Sequence, residues 1–156
     1  MRNAKLLLAI LIVPWLTIPF VGRDSLRRFM PAAIFIAIVT KIMDSFGEKR
    51  KWWRFYHGIS LFNSMDFMNL GPYIVSSIWL LKVTYGKFLT YFVSNKIMHF
   101  LFIIFGLRYI GAHKIFTLKK MNKFQYWTTH MVRAFALYAF QFIKEYLQNP
   151  NDTRID

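Results

Sequence analysis

Residues 6–22 read LLLAILIVPWLTIPFVG, seventeen residues without a charge, bounded by Arg2 and Lys5 before and Arg23, Arg27 and Arg28 after. A hydrocarbon core about 30 Å thick needs around 20 residues of helix at roughly 1.5 Å each, so this run comes close to a crossing by itself. A basic start followed by an apolar run also describes a secretory signal. The cleavage site argues against one: Phe20 and Gly22 would have to serve as the small-residue pair, and Phe is not small. Pro14 and Pro19 lie in the same run. A retained first span is the better reading.

Working outward, every later apolar stretch is broken by isolated charges. Merging across them gives candidate spans 6–21, 29–45, 60–81, 88–112 and 125–147, followed by a polar tail at 148–156. The expected fold is a single all-α domain, an integral membrane bundle of four to five transmembrane helices, five preferred. Lys41 near the end of the second span can snorkel to the headgroups. Asp44 reads as a helix-end or interface residue. Gly71-Pro72 should kink or interrupt the third span, because Pro removes a backbone donor. The alternative is an interfacial helix to Leu70 with the span starting at Pro72.

Composition agrees with a membrane home. The chain has 156 residues, 56% of them hydrophobic and 19% aromatic, yet carries 21 Lys+Arg against 7 Asp+Glu, a formal +14. So much apolar surface exceeds what a small soluble core can bury, and it excludes disorder. The absence of cysteine removes disulfides, thiolate metal sites and thiol catalysis.

Cation placement sets the orientation. With five spans, the N-terminus and the loops at 41–58 and 108–123 hold 12 Lys and Arg, against 7 on the other side; Lys96 and Arg133 lie within spans. That predicts a multi-pass cell-membrane protein with a cytoplasmic N-terminus. The last segment is ambiguous. Trp127, Met131, Phe135, Tyr138, Phe142 and Tyr146 form one helical face, with His130, Arg133, Gln141 and Lys144 off it. Such a segment can also lie in the interface, and a four-span version raises the bias to 15 against 5.

Enzyme motifs are missing: there is no HExxH, GxSxG or Gly-rich dinucleotide loop, and Gly86-Lys87 lacks the rest of a phosphate loop. No catalysis and no cofactor are predicted. The informative residues are polar ones inside apolar runs, which are costly in lipid. Asn63, Asp66, Asn69 and Tyr73 recur every three or four residues on the third span. Lys96 and His99 lie one turn apart on the fourth, as do His130 and Arg133 on the fifth. Asp66 against Lys96 or Arg133 would neutralise the bundle interior. The leading expectation is a non-enzymatic accessory or structural subunit that packs with another membrane protein. The alternative is a small transporter or channel-like protein using an Asp66/Lys96/His99 line.

The linker Lys49-Arg50-Lys51-Trp52-Trp53-Arg54 combines cations that attract anionic lipids with indoles that prefer the interface. Lipid headgroups are its expected partner, and nucleic acid is not. Ala33 and Ala37 offer one small-xxx-small contact, too little to indicate dimerisation.

The layout loosely resembles a family of short multi-spanning membrane proteins from spore-forming Gram-positive bacteria, a family with no assigned activity. The resemblance rests on Pro19-Phe20 closing the first span, the basic turn Arg23 to Arg28, Asp44, the Lys/Arg-Trp linker, Asp66-Phe67 with Pro72, and Trp127 with Val132-Arg133. It implies five spans in a bacterial plasma membrane and carries no catalytic residues.

Overall fold

The computed structural model describes residues 4–56 and 64–148. Helix makes up 83% of them, so the fold is all-α. In chain order come α1 (Ala4–Trp15) with a short 3₁₀ turn (Ile18–Val21), α2 (Arg23–Lys49), strand β1 (Trp53–Phe55), α3 (Ser64–Met68) and α4 (Ile74–Thr84). Then follow α5 (Phe88–Leu101), α6 (Leu107–Ala112), strand β2 (Phe116–Leu118) and α7 (Lys123–Gln148). Wide π-helical turns at Asn69–Tyr73 and Phe102–Gly106 join α3 to α4 and α5 to α6. Residues 149–156 of the expected polar tail lie outside the described residues.

The described residues form five helical segments connected by turns. Three are long and apolar enough to cross a membrane: Ala4–Val21, Arg23–Lys49 and Phe88–Ala112. The passes Ser64–Thr84 and Lys123–Gln148 are long enough but more polar, and their packing explains why. The α4 pass sits at the centre, with Ile74, Val75, Ser77, Ile78, Leu81 and Thr84 all buried. Along α7 the buried line is Tyr126, His130, Arg133, Ala134, Leu137 and Gln141, while Val132, Phe135, Phe142, Ile143, Tyr146 and Leu147 face outward. Met131 is buried on the same side, so His130, Arg133 and Gln141 share the inward face with apolar residues, while six large apolar side chains are left on the outer one.

One end of the bundle is closed by a ribbon. β1 pairs antiparallel with β2, matching Trp53 to Leu118, Arg54 to Thr117 and Phe55 to Phe116. The ribbon joins the two loops that the sequence presents as unrelated basic linkers. α7 starts beside it, where Tyr126 meets the rings of Trp53 at 5.9 Å and Phe116 at 5.4 Å. It ends at the far side, where the Glu145 carboxylate accepts hydrogen bonds from Arg28 Nε and Nη2 at 2.6 and 2.7 Å. α7 therefore runs the full length of the bundle.

Two contacts dock α1. A Cβ on Gly71 would lie 2.4 Å from the Ile10 carbonyl oxygen, so glycine is what lets the two backbones touch. The Trp15 indole donates to the Leu70 carbonyl at 2.8 Å. Gly71-Pro72 bends this pass without ending it. The widened turn absorbs the missing Pro72 donor, and helix continues on both sides.

A buried ion pair beside a cavity

The α2 face packed into the bundle carries Ala33, Ala37, Thr40, Asp44 and Gly47, spaced four, three, four and three residues apart, and all are buried. Ala33 and Ala37 are thus used inside the chain, against α4 and α7. At the same face Asp44 is only 5% exposed. It is a buried acid, not the helix-end or interface residue the sequence suggests. Its Oδ1 accepts a hydrogen bond from Arg133 Nη2 of α7 at 2.8 Å, and Arg133 is 3% exposed. Neither charge could be left in this position alone, because an unpaired buried ion costs several kcal/mol (roughly 3–5 when one partner is removed).

This pair borders a cavity of about 290 Å³. Its inner wall is polar as well as apolar: Asp44, Asn69, Tyr126, His130 and Arg133 stand beside Ile110, Ile115 and Phe116, all buried. Unmatched polar atoms concentrate there. Arg133 Nε and both ring nitrogens of His130 are buried with no hydrogen-bond partner, while Asn69 stands beside the Asp44 carboxylate. The His130 ring stacks on His99 at 4.3 Å and meets Tyr126 edge-on at 4.6 Å. Buried polar groups are ordinarily matched, by protein or by ordered water, so this wall is polar enough to hold either water or a polar ligand.

Both π-helical turns contribute to the cavity, Asn69, Pro72 and Tyr73 from one and Phe102 from the other. Such wide turns inside helices recur at functional sites, since they swing side chains out of helical register. A smaller void of about 20 Å³ continues past Tyr73, Ser76, Met98 and His99 toward Ser77 and Asn95. It ends where Tyr91 donates to the Ala134 carbonyl at 2.8 Å among Leu81, Leu137 and Ile78.

The proposed polar line is split up. Asp66 is buried and accepts from Lys41 of α2, not from Lys96 or Arg133. Lys41 therefore ends in an ion pair. Lys96 is exposed on the outer surface of α5, its ammonium 4.9 Å from the Phe92 ring and 5.9 Å from Trp127. Cation–π contact gives that charge a partner without bringing it inside. His99, Asn69 and Arg133 do meet at the cavity. Asn63 lies outside the described residues. No protein-family model, curated protein or solved structure matches this chain. Function must be argued from the site alone.

The basic linker also divides. Lys49, Arg50, Lys51 and Arg54 are exposed, and the ribbon adds exposed Lys114, Lys119, Lys120 and Lys123 from the other loop. Next to them the Tyr56 phenol is held below its ordinary pKa, first by its hydrogen bond with Thr117 and then by the nearby Lys119, Arg54 and Lys114. Trp53, in contrast, is 1% exposed and cannot reach headgroups. Its indole lies on Gly47, where an added Cβ would fall 2.2 Å from the ring, and donates to the Asp44 carbonyl at 3.2 Å. Trp52 is half-buried, edge-on to Trp53 and Phe46. Among the described residues no group of three or more metal-ligating side chains comes together.

Proposed function

We propose that this chain is a five-pass integral protein of the cell membrane that holds a small anionic ligand between α2 and α7. The single observation that carries the ligand is a buried guanidinium, Arg133, that lines a cavity of about 290 Å³ while Asp44 takes only one of its donors. A guanidinium has five N–H donors, and Asp44 uses one of them here, which leaves capacity for a carboxylate. The reading is non-enzymatic: binding, and passage along the bundle, need no group beyond those in the wall.

Several features support five passes. α7 runs the length of the bundle and carries exposed Val132, Phe135, Phe142, Ile143, Tyr146 and Leu147 on its outer side, which suits hydrocarbon. The docking of α1 on Gly71 supports a retained first pass. The ribbon gathers two cation-rich loops at the end where α1 begins, so the cytoplasmic side is that end by the positive-inside rule. Exposed lysines and arginines there suit anionic headgroups. The loose resemblance to short membrane proteins of spore-forming bacteria would imply a plasma membrane.

The transporter-like reading, moved from Asp66/Lys96/His99 to Asp44, Arg133 and His130, has one specific observation behind it: the small void that extends the cavity along α4. A purely structural accessory role accounts for the ion pair as a clamp between α2 and α7, and for nothing in the cavity. Titration with butyrate, followed by calorimetry on purified protein, separates them. Saturable binding is expected for the native chain and not for the paired replacement Asp44→Leu with Arg133→Met. No saturable binding to the native chain would leave the structural role standing. Topology has its own check, because the chain lacks cysteine. Arg54→Cys should label from the cytoplasmic side only, and Lys87→Cys from the outside only.

A further inference from the structure

The cavity wall is not uniformly buried, and the pattern of exposure locates its mouth. The lining residues that are not fully buried are Met68, Pro72, Tyr73 and Ser76 from the α3–α4 pass, and Met98, His99 and Phe102 from the α5–α6 pass, with Phe55 at the ribbon. Met98 is 41% exposed on the outside of the bundle while also lining the cavity. Met98 and Phe102 bracket the middle of the pass Phe88–Ala112, and Pro72, Tyr73 and Ser76 bracket the middle of Ser64–Thr84. The ribbon side is closed more tightly, since Ile115 and Phe116 are both buried.

Resting on the membrane placement and ligand site proposed above, we propose that the cavity opens sideways into the bilayer core and takes the carboxylate of a single-chain fatty acid, whose tail stays in lipid. Three points favour that ligand over others. A mouth at mid-helix height, rimmed by Met68, Pro72, Met98 and Phe102, faces hydrocarbon, where water-soluble acids are scarce. A void of about 290 Å³ matches roughly ten waters at ~30 Å³ each, enough for a carboxylate and a few methylenes but not a whole two-chain lipid. A phosphomonoester would bring nearly two negative charges to one guanidinium that Asp44 already shares, whereas a carboxylate brings one.

Arg133 and Asn69 would donate to the ligand oxygens, and Met98 and Phe102 would flank the chain where it leaves. Methionine suits such a rim, because its unbranched thioether adapts to a moving apolar partner.

The test uses full-length protein in phosphatidylcholine nanodiscs, with palmitate and butyrate as probes and Met98→Trp as the plug. Met98 stands on the outer surface, so the bulkier ring should leave the thermal midpoint unchanged. The expected result is palmitate bound at least tenfold more tightly than butyrate, and a tenfold or greater loss of palmitate binding in Met98→Trp. Lysophosphatidylcholine, with the same tail and no net charge, should compete poorly. Butyrate binding as tightly as palmitate, or Met98→Trp binding palmitate like the native chain, would overturn lateral access while leaving the anion site intact. Binding of neither acid would overturn both.

Discussion

The two halves of the bundle solve packing in opposite ways. Away from the ribbon, Ala32, Ala33 and Ala37 of α2 admit Ile74, Ile78 and Leu81 of α4 and Leu137 of α7 at close range, beside a void of about 20 Å³. Toward the ribbon, Trp53, Phe67, Phe116 and Tyr126 form an aromatic shell, and the large cavity lies between that shell and the Asp44–Arg133 pair. Small-on-large packing closes the first half, whereas rings, π-helical turns and paired charges hold the second half open. On the proposed function recognition falls to the open half, in line with the general rule that binding regions come from the less densely packed parts of a fold.

Removing one charge should break the open half most severely. Arg133→Met strands Asp44 in a buried site and should cost about 3–5 kcal/mol, seen as loss of the folded monomer or a large drop in thermal midpoint in detergent. Adding Asp44→Leu to it should recover most of that loss. A single variant as stable as the native chain would mean the pair is not made. In the closed half, Ile78→Ala should cost about 2–4 kcal/mol, through lost contacts and a new void. Ile110→Ala, which only enlarges a space already present, should cost clearly less in the same denaturation experiment. Equal losses would erase the distinction between the halves.

Gly47→Ala sits at the join. Its Cβ would push the Trp53 ring away, so a cost of about 1–3 kcal/mol is expected, with a red shift of tryptophan emission as the indole leaves its buried seat. The smallest effect belongs to Arg28→Ala at the far end. Its ion pair with Glu145 is half-exposed on the Arg28 side, and the loss should stay within about 1 kcal/mol.

The helical segments were legible from charge-bounded apolar runs, and three of them are long and apolar enough to cross a membrane. The same logic hides an inward-facing polar residue in a helix whose other sides are apolar. Asp44 sits among Lys41, Glu48 and Lys49 in sequence and so looks like the edge of a span. The spacing of Ala33, Ala37, Thr40, Asp44 and Gly47 was the available signal that it faces a neighbour. Asp66 was legible as a paired acid, but its partner on α2 was not, since Lys41 reads as a snorkelling cation. Lys96 shares one turn with His99 yet points outward, which spacing of three residues cannot decide. The ribbon had no signal at all. Three residues per strand, 63 positions apart at Trp53 and Phe116, carry no local pattern.

The ion pair also sets an order of assembly. Asp44 and Arg133 are 89 residues apart in the chain, so at about 5–20 residues per second of synthesis the acid is made roughly 4–18 s before its partner. During that interval the acid needs another way to stay comfortable, and its position five residues from the end of α2 supplies one. On the proposed topology it can wait near cytoplasmic water and be drawn inward only when α7 arrives. A helix synthesised later is then the one that locks α2 in depth.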